Sequence, residues 1–145
     1  MEKHTTRWVL GHKITTFSPT GNYDLMVGET PAKVQGPPPH LHYSYSESFL
    51  VLEGEMEFFM DGETTIVKAG EFVDLPPQAL HTFANASDKP CRWVNIHSPK
   101  GFAKFFENIG IPAGEENAQE RSARPEVFKE VIATAAGYDM LLKLS

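Results

Sequence analysis

Between residues 6 and 97 the chain is punctuated so often that no long helix fits. Runs of β-type residues at 6–10, 13–17, 23–28, 48–52, 56–60, 64–68, 72–75, 81–85 and 92–97 are separated by turn-forming residues. The separators include Pro19-Thr20-Gly21-Asn22, Glu53-Gly54, Asp61-Gly62, Ala69-Gly70 and Ser87-Asp88-Lys89-Pro90. Each supplies residues that accept tight turns or positive φ, and Asp61-Gly62 suits a two-residue hairpin. Short strands at this spacing build a sandwich or barrel rather than an alternating α/β sheet, so the fold is expected to be all-β.

The period changes after Pro99. Residues 100–109 carry Phe102, Phe105, Phe106 and Ile109 at the i, i+3, i+4, i+7 spacing of an amphipathic helix, which Gly110 and Pro112 stop. Residues 113–124 are polar and small, a loop or a frayed helix. Pro125 opens a second helix to about residue 136, with Val127, Phe128, Val131 and Ile132 on one side and Gly137 as its stop. The stretch 138–144 is apolar for a terminus and is expected to dock, with a second subunit as one host.

At 145 residues, 41% of them hydrophobic and 22% charged, the chain fits one domain with a single core. Its net charge of −6 is spread without a Lys/Arg run, which argues against nucleic acid or an anionic membrane as partner and favours a small-molecule ligand. The first ten residues lack the apolar core of a signal peptide, and no stretch reaches the ~20 apolar residues of a membrane helix, so a cytoplasmic location is expected. Cys91 is the lone cysteine; it can form no intrachain disulfide, and beside Trp93 it reads as a small buried hydrophobe.

His40, His42, Glu47 and His81 carry the chemistry. Side chains two apart on a strand share a face, so His40 and His42 can converge on one ion. Glu47 has the wrong parity for the same continuous strand, which requires a bend within Tyr43-Ser44-Tyr45-Ser46. His81 must come from a strand distant in sequence and adjacent in space. Three imidazoles and one carboxylate suit a divalent transition metal, Mn, Fe, Ni, Zn, Co or Cu, and the donor types do not choose among them. Gly36 and Pro37-Pro38-Pro39 form a stiff extended lead into this group. His4, His12 and His97 have no such context and read as surface or hydrogen-bonded histidines.

These residues resemble the two motifs of the cupins, G-x5-H-x-H-x3,4-E-x6-G and G-x5-P-x-G-x2-H-x3-N. His40, His42, Glu47 and Gly54 stand at positions of the first, and Gly70, Pro76, His81 and Asn85 at positions of the second. Val34 replaces the opening glycine, with Gly36 two residues later, and Gln78 replaces the glycine after the proline, where it lacks glycine's easy positive φ. The phrase Ser-Pro-Lys-Gly-Phe-Ala-Lys-Phe-Phe-Glu-Asn-Ile-Gly also resembles the segment after the barrel in small bacterial cupins similar to quercetin dioxygenases.

The resemblance implies a single jelly-roll β-barrel over residues 1–98, with the motifs at 36–98, followed by a helical extension, 99–145, packed on the barrel or on a partner subunit in a homodimer. It implies one bound metal ion held by His40, His42, Glu47 and His81, with Glu47 as general base in oxidation or ring cleavage of a small enol or phenol. Parity counted from the ligands adds Phe49, Val51 and Phe83 to the expected pocket, and Tyr43 is expected at its mouth. Asn85 reads as a turn residue. A metal-dependent isomerase, cyclase or lyase, and a non-catalytic binding protein, are the alternative readings, because cupins host many activities.

Overall fold

The computed structural model describes residues 4–144; Met1 to Lys3 and Ser145, which the expected domain limits include, lie outside the described residues. The strands are β1 (His4–Val9), β2 (His12–Phe17), β3 (Asp24–Thr30), β4 (His40–Leu41), β5 (Ser46–Glu53), β6 (Glu55–Met60), β7 (Glu63–Lys68), β8 (Phe72–Leu75), β9 (His81–Ala84), β10 (Cys91–Ser98), β11 (Ile111–Pro112) and β12 (Leu141–Leu142). All nine expected strands are present, their ends displaced by at most two residues. The two-residue strands β4, β11 and β12 were not expected, since a pair of residues carries no period.

The strands form two antiparallel sheets, one in the order β11-β1-β2-β3-β10-β5-β8 and the other in the order β12-β4-β9-β6-β7. The sheets face each other as a jelly roll without hydrogen-bonded closure among the described residues. Their inner faces meet in a core of Met26, Phe49, Val51, Met56, Phe58, Val67, Leu75 and Trp93. The alternation of buried and exposed residues along β2, β3 and β10 is the period of a sheet with one face inward. Gly28 on β3 lies directly opposite Trp93, and the indole fills the space a side chain would need: a Cβ there would stand 2.1 Å from Cζ2 of Trp93.

Two turns have local causes. Asp61 and Gly62 both take positive φ, 48° and 91°, the conformation that a two-residue hairpin with matched twist requires. Gln78 takes φ 72° despite its side chain, and its N–H donates to the carbonyl of His42 at 2.7 Å. The turn before His81 therefore keeps the left-handed geometry for which glycine is suited.

Helix α1 (Ala103–Ile109) begins three residues later than expected, and Asp24 explains the start. One oxygen of its buried carboxylate accepts from the N–H groups of Gly101, Phe102 and Ala103 at 3.0, 2.8 and 3.3 Å, which fixes the first turn there. The stripe Phe102, Phe105, Phe106 and Ile109 is buried. The 113–124 stretch contains a short helix, α2 (Ala118–Ser122), and α3 (Pro125–Thr134) continues as a 3₁₀ turn, Ala135–Tyr138. Of the expected apolar side of α3, Val131 is buried, whereas Phe128 and Ile132 are each 40% exposed. The helix rests on its Val131 and Ala135 edge, so the remaining apolar positions face outward. β11 pairs with β1 and β12 with β4, so residues after Ser98 extend both sheets as well as supplying helices. No helix among the described residues is long and apolar enough to cross a membrane.

Candidate metal centre

β4 delivers His40, and the chain then leaves the strand through His42 and bends at Tyr43 and Ser44 before β5 begins at Ser46. That bend reverses the parity that would have carried Glu47 outward. His40 pairs with His81 across β4 and β9, and Glu47 stands near the start of β5 in the opposite sheet. One ligand atom from each of His40, His42, Glu47 and His81 lies within 4.8 Å of the others, and all four residues are buried. The group could hold a metal ion.

The imidazoles are oriented for ligation by their outer nitrogens. Nδ1 of His40 lies 2.9 Å from the Pro38 carbonyl, Nδ1 of His42 lies 2.7 Å from the Asp139 carbonyl, and Nδ1 of His81 lies 2.9 Å from the Ala79 carbonyl. A carbonyl only accepts, so each Nδ1 carries the proton and each Nε2 is left for the centre, the arrangement that orients metal-bound histidines. Nε2 of His42 is buried without a hydrogen-bond partner. A buried polar atom in that condition is costly, and a cation among these donors would satisfy it.

The charges agree with this geometry. Burial, then the neighbouring His81 imidazole, push His40 down to about 3 against an upward pull from Glu47, so His40 is neutral and able to donate a lone pair. Burial alone would raise the Glu47 carboxyl, but the imidazoles of His97, His42 and His81 outweigh it and hold the group well below the usual carboxylate range. His81 is raised: burial lowers it, and the hydrogen bond and charge of Glu47 more than compensate. Nε2 of His81 and Oε1 of Glu47 lie 3.0 Å apart.

Glu47 is gripped from behind. Its Oε2 accepts from Nδ2 of Asn95 at 2.9 Å and lies 3.2 Å from Nε2 of His97, while Oε1 faces His81 and lies 3.5 Å from Nε2 of His42. Asn95 was not singled out from the sequence, and His97, expected at the surface or hydrogen-bonded, is instead buried with neither ring nitrogen in a hydrogen bond among the described residues. The signal was available in the alternation of β10, where Cys91, Trp93, Asn95 and His97 all point inward once Trp93 does. His97 is fully buried, with its ring 4.6 Å from that of Phe102.

A cavity of about 50 Å³ adjoins the cluster, walled by Phe49, Phe83, Trp93, Phe102, Phe105 and Met140 and reached by His40, His42 and Glu47. A single water needs about 10–15 Å³, so there is room for a few water-sized groups. Phe49 and Phe83 line this cavity. Val51, expected in the pocket, is fully buried in the core and does not line this cavity, and Tyr43 is 57% exposed on the bend. Asn85 closes a turn: its Nδ2 donates to the carbonyls of Thr30, Pro31 and Lys89, and its Oδ1 accepts from Ser87.

His12 also reaches the cavity wall, in a hydrogen-bond chain with one direction. Trp93 Nε1–H donates to Thr30 Oγ1 at 2.9 Å, the Thr30 hydroxyl donates to His12 Nδ1 at 2.9 Å, and His12 Nε2–H donates to the Gln35 carbonyl at 2.9 Å. Only a neutral His12 completes it, and burial pushes this imidazole down to about 4.

Residues 27–97 match the cupin domain family. The chain is 25% identical over 139 residues to the quercetin 2,3-dioxygenase of Bacillus subtilis (strain 168), covering 87% of this chain and 41% of that protein. It is 35% identical over 118 residues to the gentisate 1,2 dioxygenase 1 of Aquipseudomonas alcaligenes, covering 74% of this chain and 32% of that protein. The chain thus spans less than half the length of either relative. Among solved structures it resembles an RmlC-like cupin from Shewanella frigidimarina NCIMB 400, with a TM-score of 0.60 at 19% identity over 68% of this chain and 86% of that one, which speaks to the fold alone. Motif residues, sheet order and family match agree, and the chain is a member of the cupins.

Proposed function

We propose that this cupin is a metal-dependent dioxygenase-like enzyme acting on a small enol- or phenol-type substrate, with the ion held by His40, His42, Glu47 and His81. The observation that carries the reading is that all three imidazoles have Nδ1 tied to a carbonyl while one donor atom of each lies within 4.8 Å of the Glu47 carboxylate, Nε2 of His42 and of His81 at 3.5 and 3.0 Å from its Oε1. Two relatives named as dioxygenases support the reaction class. When bound, a divalent ion supplies Lewis acidity and an anchor for substrate oxygens. Glu47 Oε1 accepts the substrate hydroxyl proton without leaving its place, because Asn95 holds the other oxygen. The aromatic wall of Phe49, Phe83 and Phe102 excludes water from the reacting carbon.

The test pairs elemental analysis of freshly purified protein with O2 uptake on a panel of flavonols and small dihydroxybenzenes. The expected result is about one transition-metal ion per chain and O2 consumed one for one with product. Replacing His42 by Ala should remove most of the metal, and replacing Glu47 by Gln should leave the fold and abolish most turnover. Absence of bound metal in the parent would overturn the reading. Turnover without O2 uptake would move it to an isomerase, cyclase or lyase.

A further inference from the structure

Residues 139–143 run beside residues 39–44, the segment that bears His40 and His42. The Asp139 carbonyl receives the His42 Nδ1 hydrogen bond at 2.7 Å, and its carboxylate accepts from the N–H groups of Tyr43 and Ser44 at 3.0 and 2.7 Å. Leu141 pairs with Leu41 and Leu142 with His40, and the Lys143 N–H donates to the Pro39 carbonyl at 2.7 Å. Asp139 adopts φ 58°, a left-handed conformation that aspartate tolerates better than most residues, and the turn sends Met140 into the cavity wall.

We propose that this C-terminal strap is part of the metal centre, with Asp139 a positioning residue that sets the tautomer and direction of His42. The inference rests on the metal reading above. The Pro38 and Ala79 carbonyls that orient His40 and His81 lie two residues from the histidines they hold, so those rings are oriented locally. His42 is different: its carbonyl partner is 97 residues away. Without the strap the ring is free to turn or to exchange tautomer, and the Tyr43-Ser44 bend loses both of its carboxylate contacts. A tail that only shields apolar surface would stabilise the fold and leave ligand geometry unchanged, so affinity and stability separate the two roles.

The experiment titrates zinc alone against a competing chelating dye, in the full chain, in Asp139→Ala, in Asp139→Asn and in a chain ending at Tyr138, with circular dichroism to establish folding. Loss of a partner that orients a ligand typically weakens metal affinity 10- to 100-fold. The shortened chain, which loses the carbonyl itself, should therefore bind zinc at least about 10-fold more weakly, and Asp139→Ala, which keeps the backbone carbonyl but loses the carboxylate that pins it beside the Tyr43-Ser44 bend, should bind zinc more weakly than the parent by a smaller factor. Asp139→Asn, which keeps a left-handed preference and one acceptor oxygen, should fall between them and the parent. In the zinc-loaded parent the His42 Nδ1–H should give an exchange-protected downfield proton resonance, absent from the shortened chain. Parental affinity in a folded Asp139→Ala variant, or an unchanged resonance after shortening, would overturn the strap. Should the shortened chain fail to fold, Asp139→Ala decides by affinity. A parent that takes up no zinc would overturn the metal reading itself, and with it the strap.

Discussion

Asn95 donates to the outer oxygen of Glu47 at 2.9 Å, which leaves the other oxygen alone to face the three imidazoles. The carboxylate thus enters the cluster with one atom and a fixed direction. Asn95→Ala should cost about 10-fold in metal affinity through a loosened Glu47, with little effect on the fold. Chelator competition measures it, and unchanged affinity would mean that the β5 backbone alone orients the carboxylate.

His12 links the cavity wall to the pH dependence of stability. It is folded in its neutral form, with its pKa lowered to about 4 from 6.5. The unfolded chain takes up this proton first, so stability from His12 is fully present above about pH 6.5 and is lost as pH falls toward about 4. The difference corresponds to about 3 kcal/mol at neutral pH. Denaturant titrations at pH 7 and pH 5 should show the protein weaker at pH 5, and His12→Gln should flatten that slope. An equal slope in the variant would assign the dependence to other groups.

Gly28 and Trp93 leave no room for a compromise in volume. Gly28→Ala places a methyl carbon inside the indole, and overpacking of this kind costs about 1–3 kcal/mol. The melting midpoint should fall by several degrees. Because Trp93 also donates to Thr30, its fluorescence should shift with the displaced ring.

Asp24, the first residue of β3, holds the start of α1. Asp24→Ala strands three buried or half-buried N–H groups and should cost about 2–3 kcal/mol, while Asp24→Asn, which keeps one acceptor, should cost less. Phe102 begins this turn and its ring lies 4.8 Å from that of His42, so the Ala variant should also weaken metal binding. Thermal melting and zinc titration on the same samples would show whether the two losses travel together.

The nine strands, the hairpin at Asp61-Gly62 and the α1 stripe could be read before any coordinates, since each is a local period or a turn requirement carried by neighbouring residues. The four candidate ligands were legible for a related reason: their spacing puts them on strand ends that a jelly roll brings together. His97 shows where local reading stops. It is the same residue type as the ligands and fully buried, yet its Nε2 sits behind Glu47 at Oε2 rather than in front at Oε1. No spacing rule distinguishes the two sides of a carboxylate.

What the amino-acid order determined by itself was the strand pattern and the inventory of donors, because side-chain alternation and turn chemistry act over a few residues. Which donors face one centre, which support them from behind, and that Asp139 and Met140 complete a cluster begun at His40 were decided only by tertiary structure. Those relationships join residues far apart in the chain, His42 and Asp139 being separated by 97 positions, through backbone groups that every residue possesses and no sequence can single out.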